Sequence, residues 1–329
     1  MRSALSIFSI VVIGLSAGCN GGKREVLTVD FQENQTLRYK FVSTRDVDVD
    51  LGGKKRKGSK AGSGKLEKST ESFEMIVAYQ PIEVDPAFTK VKATCESVKI
   101  KRSKKNKSGR KDAAESLAGK SFTFTVGPSG VIEDYSDMDR VLKEAGENAF
   151  GSLSSKGRIK EPDMLEDFTA TQWFLWDSVS SIAKPAKGVA VGASWESQMS
   201  VPDSMVLRKA RNVTYTLEEI RESEDGRVAV INSVYSPAPK GDLGWPAPYI
   251  GKFQLSGPLG FFRMLSGGFN VKVLEGEGQE LFNIDAGRSE GYNQHYRLEL
   301  EARKEPLPNT RPKIVIDQKL TMQLLKKKK

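Results

Sequence analysis

Few residues of this 329-residue chain combine types and spacings that chemistry needs. His295 is the sole histidine. One imidazole excludes a multi-histidine metal site, and its strand phase, shared with Asn293, Arg297 and Glu299 opposite Tyr292, Tyr296, Leu298 and Leu300, turns it to solvent. Ser181 and Lys184 have the serine-lysine spacing of penicillin-recognising enzymes, but no Ser-Asp-Asn or Lys-Thr-Gly accompanies them and Pro185 ends the segment. Gly119-Lys120-Ser121 has the end of a phosphate-binding loop without its first glycine, whose place Ala114 takes, and a strand follows where a helix should present its N–H groups. Asp46, Asp48 and Asp50 alternate as in a calcium loop, yet Leu51 stands for the required glycine and Lys57 for the final glutamate. They read instead as the solvated face of a strand. No catalytic residue, cofactor or metal is expected from these patterns. A pair of convergent carboxylates leaves no sequence signature, so a carboxylate-based hydrolase of envelope polymers is the alternative to a binding module.

Cysteine chemistry is different. Arg2 precedes an apolar run, Ala4 to Ala17, too short to span a bilayer, and the run ends in Leu15-Ser16-Ala17-Gly18-Cys19. This resembles a lipobox, in which small residues admit the peptidase to the bond before a diacylglyceryl-cysteine. The expectation is a signal peptide over residues 1–18, lipidated Cys19, a tether over 19–24 and an extracytoplasmic location. Ser16, where leucine is commoner, leaves ordinary signal peptidase as the rival, releasing a free Cys19. With Cys19 acylated, Cys95 has no disulfide partner; its phase with Val91 and Ala93 makes it a buried small hydrophobe.

Alternation then supplies the scaffold. Leu37, Tyr39 and Phe41, then Val47, Val49 and Leu51, share one face of a long strand. Further strands are expected over 73–79, 88–100, 121–126 and 131–135, and again over 195–201, 213–217, 228–235, 271–282, 292–302 and 314–324. Gly127-Pro128-Ser129-Gly130 reads as a hairpin turn and Asp285-Ala286-Gly287 as another. Between the two strand-rich halves, 25–136 and 186–325, helical spacing of Met138, Val141, Leu142, Ala145 and Ala149, with Ser136 as cap, and of Leu165, Phe168, Trp176 and Val179 predicts a helical segment over 137–184. Residues 241–268, with seven glycines, three prolines and five aromatics, break the pattern. They read as core-packed coil, or as a lid or ligand mouth. The expected class is α+β, mainly antiparallel: curved sheets or a half-barrel with the helical segment packed on one face. Such an architecture is similar to lipoprotein carriers that hold acyl chains, which makes an apolar or lipid ligand an expectation.

The stretches Gly119 to Phe124 leading into Gly130-Val131-Ile132, Val189 to Glu196, and the strand-turn-strand ending at Gly287-Arg288 are similar to a domain-of-unknown-function family of bacterial lipoproteins. The resemblance implies an extracytoplasmic β-rich fold and no activity.

Net charge is +9, and the excess is concentrated. Lys54, Lys55, Arg56, Lys57, Lys60, Lys65 and Lys68 stand against Glu67 alone, while Lys99, Lys101, Arg102, Lys104, Lys105, Lys107, Arg110 and Lys111 stand against no acid. In a meander these two stretches share one end of the sheet, where their field would attract anionic lipid headgroups or envelope polyanions, with the basic tail 326–329 adding to it. No nucleic-acid partner is expected, and oligomeric state has no signature.

Overall fold

The computed structural model describes residues 23–50, 67–103, 113–127, 132–134, 158–159, 187–202, 208–237, 254–255, 269–304 and 311–326, together with Ser136, Asp137, Arg140, Val141 and Glu144. The first half supplies β1 (Leu37–Asp50), β2 (Glu67–Val84), β3 (Thr89–Arg102), β4 (Ser121–Val126) and β5 (Ile132–Asp134). Then come β6 (Arg158–Ile159), β7 (Ser194–Pro202), β8 (Arg208–Ser223), β9 (Gly226–Pro237), β10 (Gln254–Leu255), β11 (Phe269–Asn283), β12 (Arg288–Ala302) and β13 (Lys313–Leu324). Eleven of them form one sheet in the order β5-β4-β3-β2-β1-β13-β12-β11-β9-β8-β7. All its pairings are antiparallel.

Register follows from side-chain alternation, because a one-residue slip would turn every apolar residue outward. A single cross-strand row runs Leu217, Ile231, Glu280, Tyr292, Met322, Phe41 and Met75 over seven strands. This inner face is buried. It holds two apolar clusters, one on β1–β4 with Phe73, Met75, Val91 and Phe124, the other on β8, β9 and β11–β13 with Tyr215, Phe282, Leu298 and Ile316. Each fully buried side chain of this size contributes about 1.5–3 kcal/mol, so the clusters are the main source of stability. The outer face is a ladder of charge: Lys40 and Lys99 flank Glu74, Lys68 meets Asp48, and Arg297 meets Glu299.

The α+β expectation is overturned. The described chain is antiparallel sheet, and no helical layer packs on either face of it. Of the expected segment 137–184, helix is described only at Asp137, Arg140, Val141 and Glu144, with Ser136 before them. Only Val141 of these is buried in the core, too little to cover eleven strands. At the start of this helix Asp134 Oδ1 accepts from Ser136 N at 2.9 Å, so the aspartate meets one of the first free N–H groups. Farther along, Arg158–Ile159 is a strand, parallel to β10, which lies inside the glycine-rich 241–268. Met138, Leu142, Ala145, Ala149, Leu165, Phe168, Trp176 and Val179 lie outside the described residues. The two strand-rich halves do exist, but β1 and β13 fuse them into one sheet.

Gly276 on β11 shows how tightly the inner face is filled. A Cβ there would lie 2.6 Å from Tyr296 Cβ and 2.7 Å from Tyr235 Cδ2. Its absence lets both tyrosines lie against the strand. Gly276→Ala is expected to destabilise the fold by about 1–3 kcal/mol through overpacking. A urea-unfolding midpoint equal to that of the parent chain would show that the tyrosines move aside at no cost.

Candidate functional site

Polar residues interrupt the inner face where apolar alternation lapses. On β1 the apolar odd positions stop at Phe41 and resume at Val47, leaving Ser43 and Arg45. Glu71 on β2 is paired in register with both Arg45 and Arg102. Its carboxylate receives Arg45 Nη2 at 3.0 Å and Arg102 Nε at 2.6 Å, and all three side chains are nearly buried. Arg102 also lies over the Phe73 ring. The line continues across the strands: Gln318 Nε2 donates to Ser43 Oγ at 3.1 Å, and Tyr296 donates to Gln318 Oε1 at 2.9 Å. Beyond it, Tyr235 and Tyr292 donate to Gln294 Oε1, and Ser233 to Tyr235. A buried polar seam therefore separates the two apolar clusters. Burying such groups costs free energy unless they are bonded, and here they bond one another. The gap at Ser43 and Arg45 was the available sequence signal for this seam.

No described group is prepared as a nucleophile. Burial pushes the Cys95 thiol up to about 12, as suits the small core hydrophobe expected from sequence. Burial likewise raises the Tyr39 phenol, which donates to Ser289 O at 2.8 Å. His295 is on the outer face, half exposed, with Nε2 3.1 Å from both Asp317 oxygens. Among the described residues no cluster of His, Cys, Asp or Glu could hold a metal ion. Ser181, Lys184 and Cys19 lie outside the described residues.

The two ends of the sheet differ. At one end β2–β3, β8–β9 and β11–β12 join through short turns, and the chain segments before β1 and after β13 are there too. At the other end lie the long connections, 51–66 between β1 and β2 and 103–112 leaving β3. Arg102 pairs with Glu71, and Ser103 N donates to Thr70 O, so both basic stretches start beside the same end of β2. Of the fifteen basic residues of the two stretches, Lys68, Lys99 and Lys101 are exposed there. Arg102 instead turns inward to Glu71. Lys54, Lys55, Arg56, Lys57, Lys60, Lys65, Lys104, Lys105, Lys107, Arg110 and Lys111 lie outside the described residues. Of the basic tail, Lys326 is not at this end: β13 runs the opposite way, and Lys326 meets Asp225 in the β8–β9 turn at 3.4 Å, while Lys327, Lys328 and Lys329 lie outside the described residues. Strand direction, invisible to a charge count, decides the point.

The segment leading to β1 is fastened at the short-turn end. Glu25 and Val189 exchange both backbone hydrogen bonds, Arg24 donates to Gly188 O, and Asp30 N donates to Gly287 O. Leu27 enters one apolar cluster and Phe31 packs on the other, so this short stretch bridges both. Arg227 binds Glu25 at 3.1 Å and Asp285 at 2.8 Å. Hydrogen bonding from Lys23, and then from Arg227, lowers the Glu25 carboxyl; Arg227 lowers Asp285. Carboxyls depressed in the folded state contribute stability above their ordinary range and lose it as pH falls through the folded values. Protection of the Glu25 and Asp30 amides against hydrogen exchange is therefore expected to hold at pH 6 and fall below about pH 4. Arg227→Leu together with Lys23→Gln should remove that pH dependence; an unchanged profile in the double variant would show that these ion pairs do not hold the segment.

No curated protein matches the sequence. Among solved structures the chain is similar to engineered proteins described for asymmetric conductivity and to mutants of Rh. blastica porin, each at 10% identity and a TM-score of 0.18, over 88% of this chain and 99% of that one. A likeness at this level carries no argument. The charged outer face is moreover the reverse of the apolar band of a lipid-facing barrel. Over residues 70–230, which run from β2 into β9, the chain matches the model of a family of unknown function (DUF6263).

Proposed function

We propose that this chain is an envelope lipoprotein, held to a bacterial membrane through acylated Cys19, whose sheet is a non-enzymatic module that binds an anionic polymer or surface through its basic end. One observation supports this reading above the others: the N-terminal segment is fastened at one end of the strands, whereas the two basic connections leave from the other. An anchor and a binding surface then occupy opposite ends of one rigid element. The inner face supports a non-enzymatic role, since Glu71 is held between two arginines and the cysteine and tyrosine groups are pushed away from ionisation at neutral pH. Acyl chains contribute about 0.8 kcal/mol per buried methylene, so multiple chains make attachment effectively permanent.

Two outcomes test the two ends separately. Intact protein is expected to partition into detergent with acyl mass on its N-terminal peptide, and Cys19→Ser to lose that mass and accumulate unprocessed; normal maturation of the variant would end the lipoprotein reading. At the other end, replacing the lysines and arginines of 51–66 and 103–112 by glutamine should abolish binding to polyphosphate or to anionic vesicles while circular dichroism stays that of the parent. Binding that is insensitive to salt, or that survives the substitutions, would leave those stretches as solvated connections only.

A further inference from the structure

Outside the two basic stretches, a third group of cations stands on the same rim. Glu301, at the end of β12, is surrounded by Lys272 Nζ at 3.0 Å, Arg311 Nη1 at 3.7 Å and Lys313 Nζ at 3.9 Å. One carboxylate cannot neutralise three cations. Counting Asp50, which stands opposite Lys313 in the register, one positive charge remains in excess, on side chains about half exposed or more. The Glu301 carboxyl is held low, by its hydrogen bond from Lys272 first and by the charges of Arg311 and Lys313 besides. Arg303 and Lys304 follow after Ala302, exposed, and among the described residues Arg303 donates to the neutral Asn270. Among the described residues the acids near this rim include Asp46, which accepts from Thr70, Asp48, which Lys68 occupies, Asp50, and Glu74, which Lys99 meets.

The strand order makes these separate groups neighbours. Lys99 and Lys101 are on β3 and Lys68 on β2; across β1, whose end carries Asp48 and Asp50, β13, β12 and β11 follow with Lys313, Arg303 just past β12, and Lys272. Six adjacent strands cover five spacings, about 24 Å. The rim lies the length of β1 away from the fastened N-terminal segment, about 45 Å for its 14 residues. A tether of six residues reaches about 20 Å at most. Fields of surface charges decay within about 8–10 Å at physiological salt.

The geometry points to one continuous track for an extended, phosphate- or carboxylate-bearing polymer along the β3–β2–β1–β13–β12–β11 rim, engaged away from the leaflet that holds the anchor. This rests on the polyanion-binding reading above and adds the β11–β13 cations and the direction of approach. Lys272, Arg311 and Lys313 bind the polymer in exchange for part of their hold on Glu301. The anchoring leaflet is out of their reach when the strands stand on the membrane.

The test uses the mature, acylated chain in neutral vesicles, titrated with long-chain inorganic polyphosphate over a range of salt. Joint substitution K272Q, R311Q and K313Q is expected to weaken binding by about tenfold or more and to flatten the dependence of log affinity on log salt by about two. Glu301→Gln, which keeps the shape and removes the opposing charge, should tighten binding. If both variants bind like the parent while the glutamine-substituted connections do not bind, the track ends at β1 and the extension is wrong, although the polyanion reading stands. If no substitution anywhere matters, that reading itself fails. Adding anionic lipid to the same vesicles should leave polyphosphate affinity unchanged; a tenfold loss would show that the rim lies on its own leaflet.

Discussion

The ladder between β1 and β13 is the contact on which the sheet depends. Twelve register pairs, from Tyr39 with Leu324 to Asp50 with Lys313, join the first strand of the chain to the last. Without it the first half is a meander ending in an open β1 edge, and Tyr39 and Phe41 lose the Leu324 and Met322 beside them. Closing so long a loop costs only slowly increasing entropy, but it makes the fold one of high contact order. In a chain made from its N-terminus, that edge of β1 stays open until β13 arrives. An open edge of this length invites pairing with other chains, which makes the interval before β13 docks the period of greatest exposure to aggregation.

Much of the sheet was legible because one face is buried and the other is not. Val91, Ala93 and Cys95 share a side of β3 in the structure as in the pattern, and His295 faces outward opposite Tyr296. What periodicity does not carry is which strands adjoin. Nothing in residues 37–50 or 313–324 announces that they pair, because any two amphipathic strands satisfy the same pattern. The buried seam was half legible: Ser43 and Arg45 visibly break the apolar run, but their partners Glu71 and Gln318 come from strands distant in sequence. The expected helical layer on one face is the part that was not borne out, although Asp137, Arg140, Val141 and Glu144 are helical. Apolar residues at spacings of three and four are common enough that a short run of them specifies a face only when a neighbouring element requires it.

The seam itself has an unusual position. Polar groups that cross the inside of a sheet are costly compared with well-packed apolar residues, and a charge left unpaired costs several kcal/mol more. Arg45, Glu71 and Arg102 occupy fixed register positions on three adjacent strands, so a slip of β1 or β3 against β2 would break the triad as well as misplace the apolar rows. Charge and shape thus specify the same alignment. The price is paid in the middle of the inner face, between the two clusters, where a shift would otherwise cost only the exchange of one apolar neighbour for another.

Both chain ends leave the sheet on the side of the short turns, and Leu325 N even donates to Arg38 O at 2.7 Å. The molecule therefore presents both of its chain ends on one side. Whatever is attached after Lys329, whether a fluorophore, a tag or a fused domain, would emerge beside the N-terminal segment. A group inserted into the connection between β1 and β2 would instead be carried at the far end of the strands, most of a strand's length away.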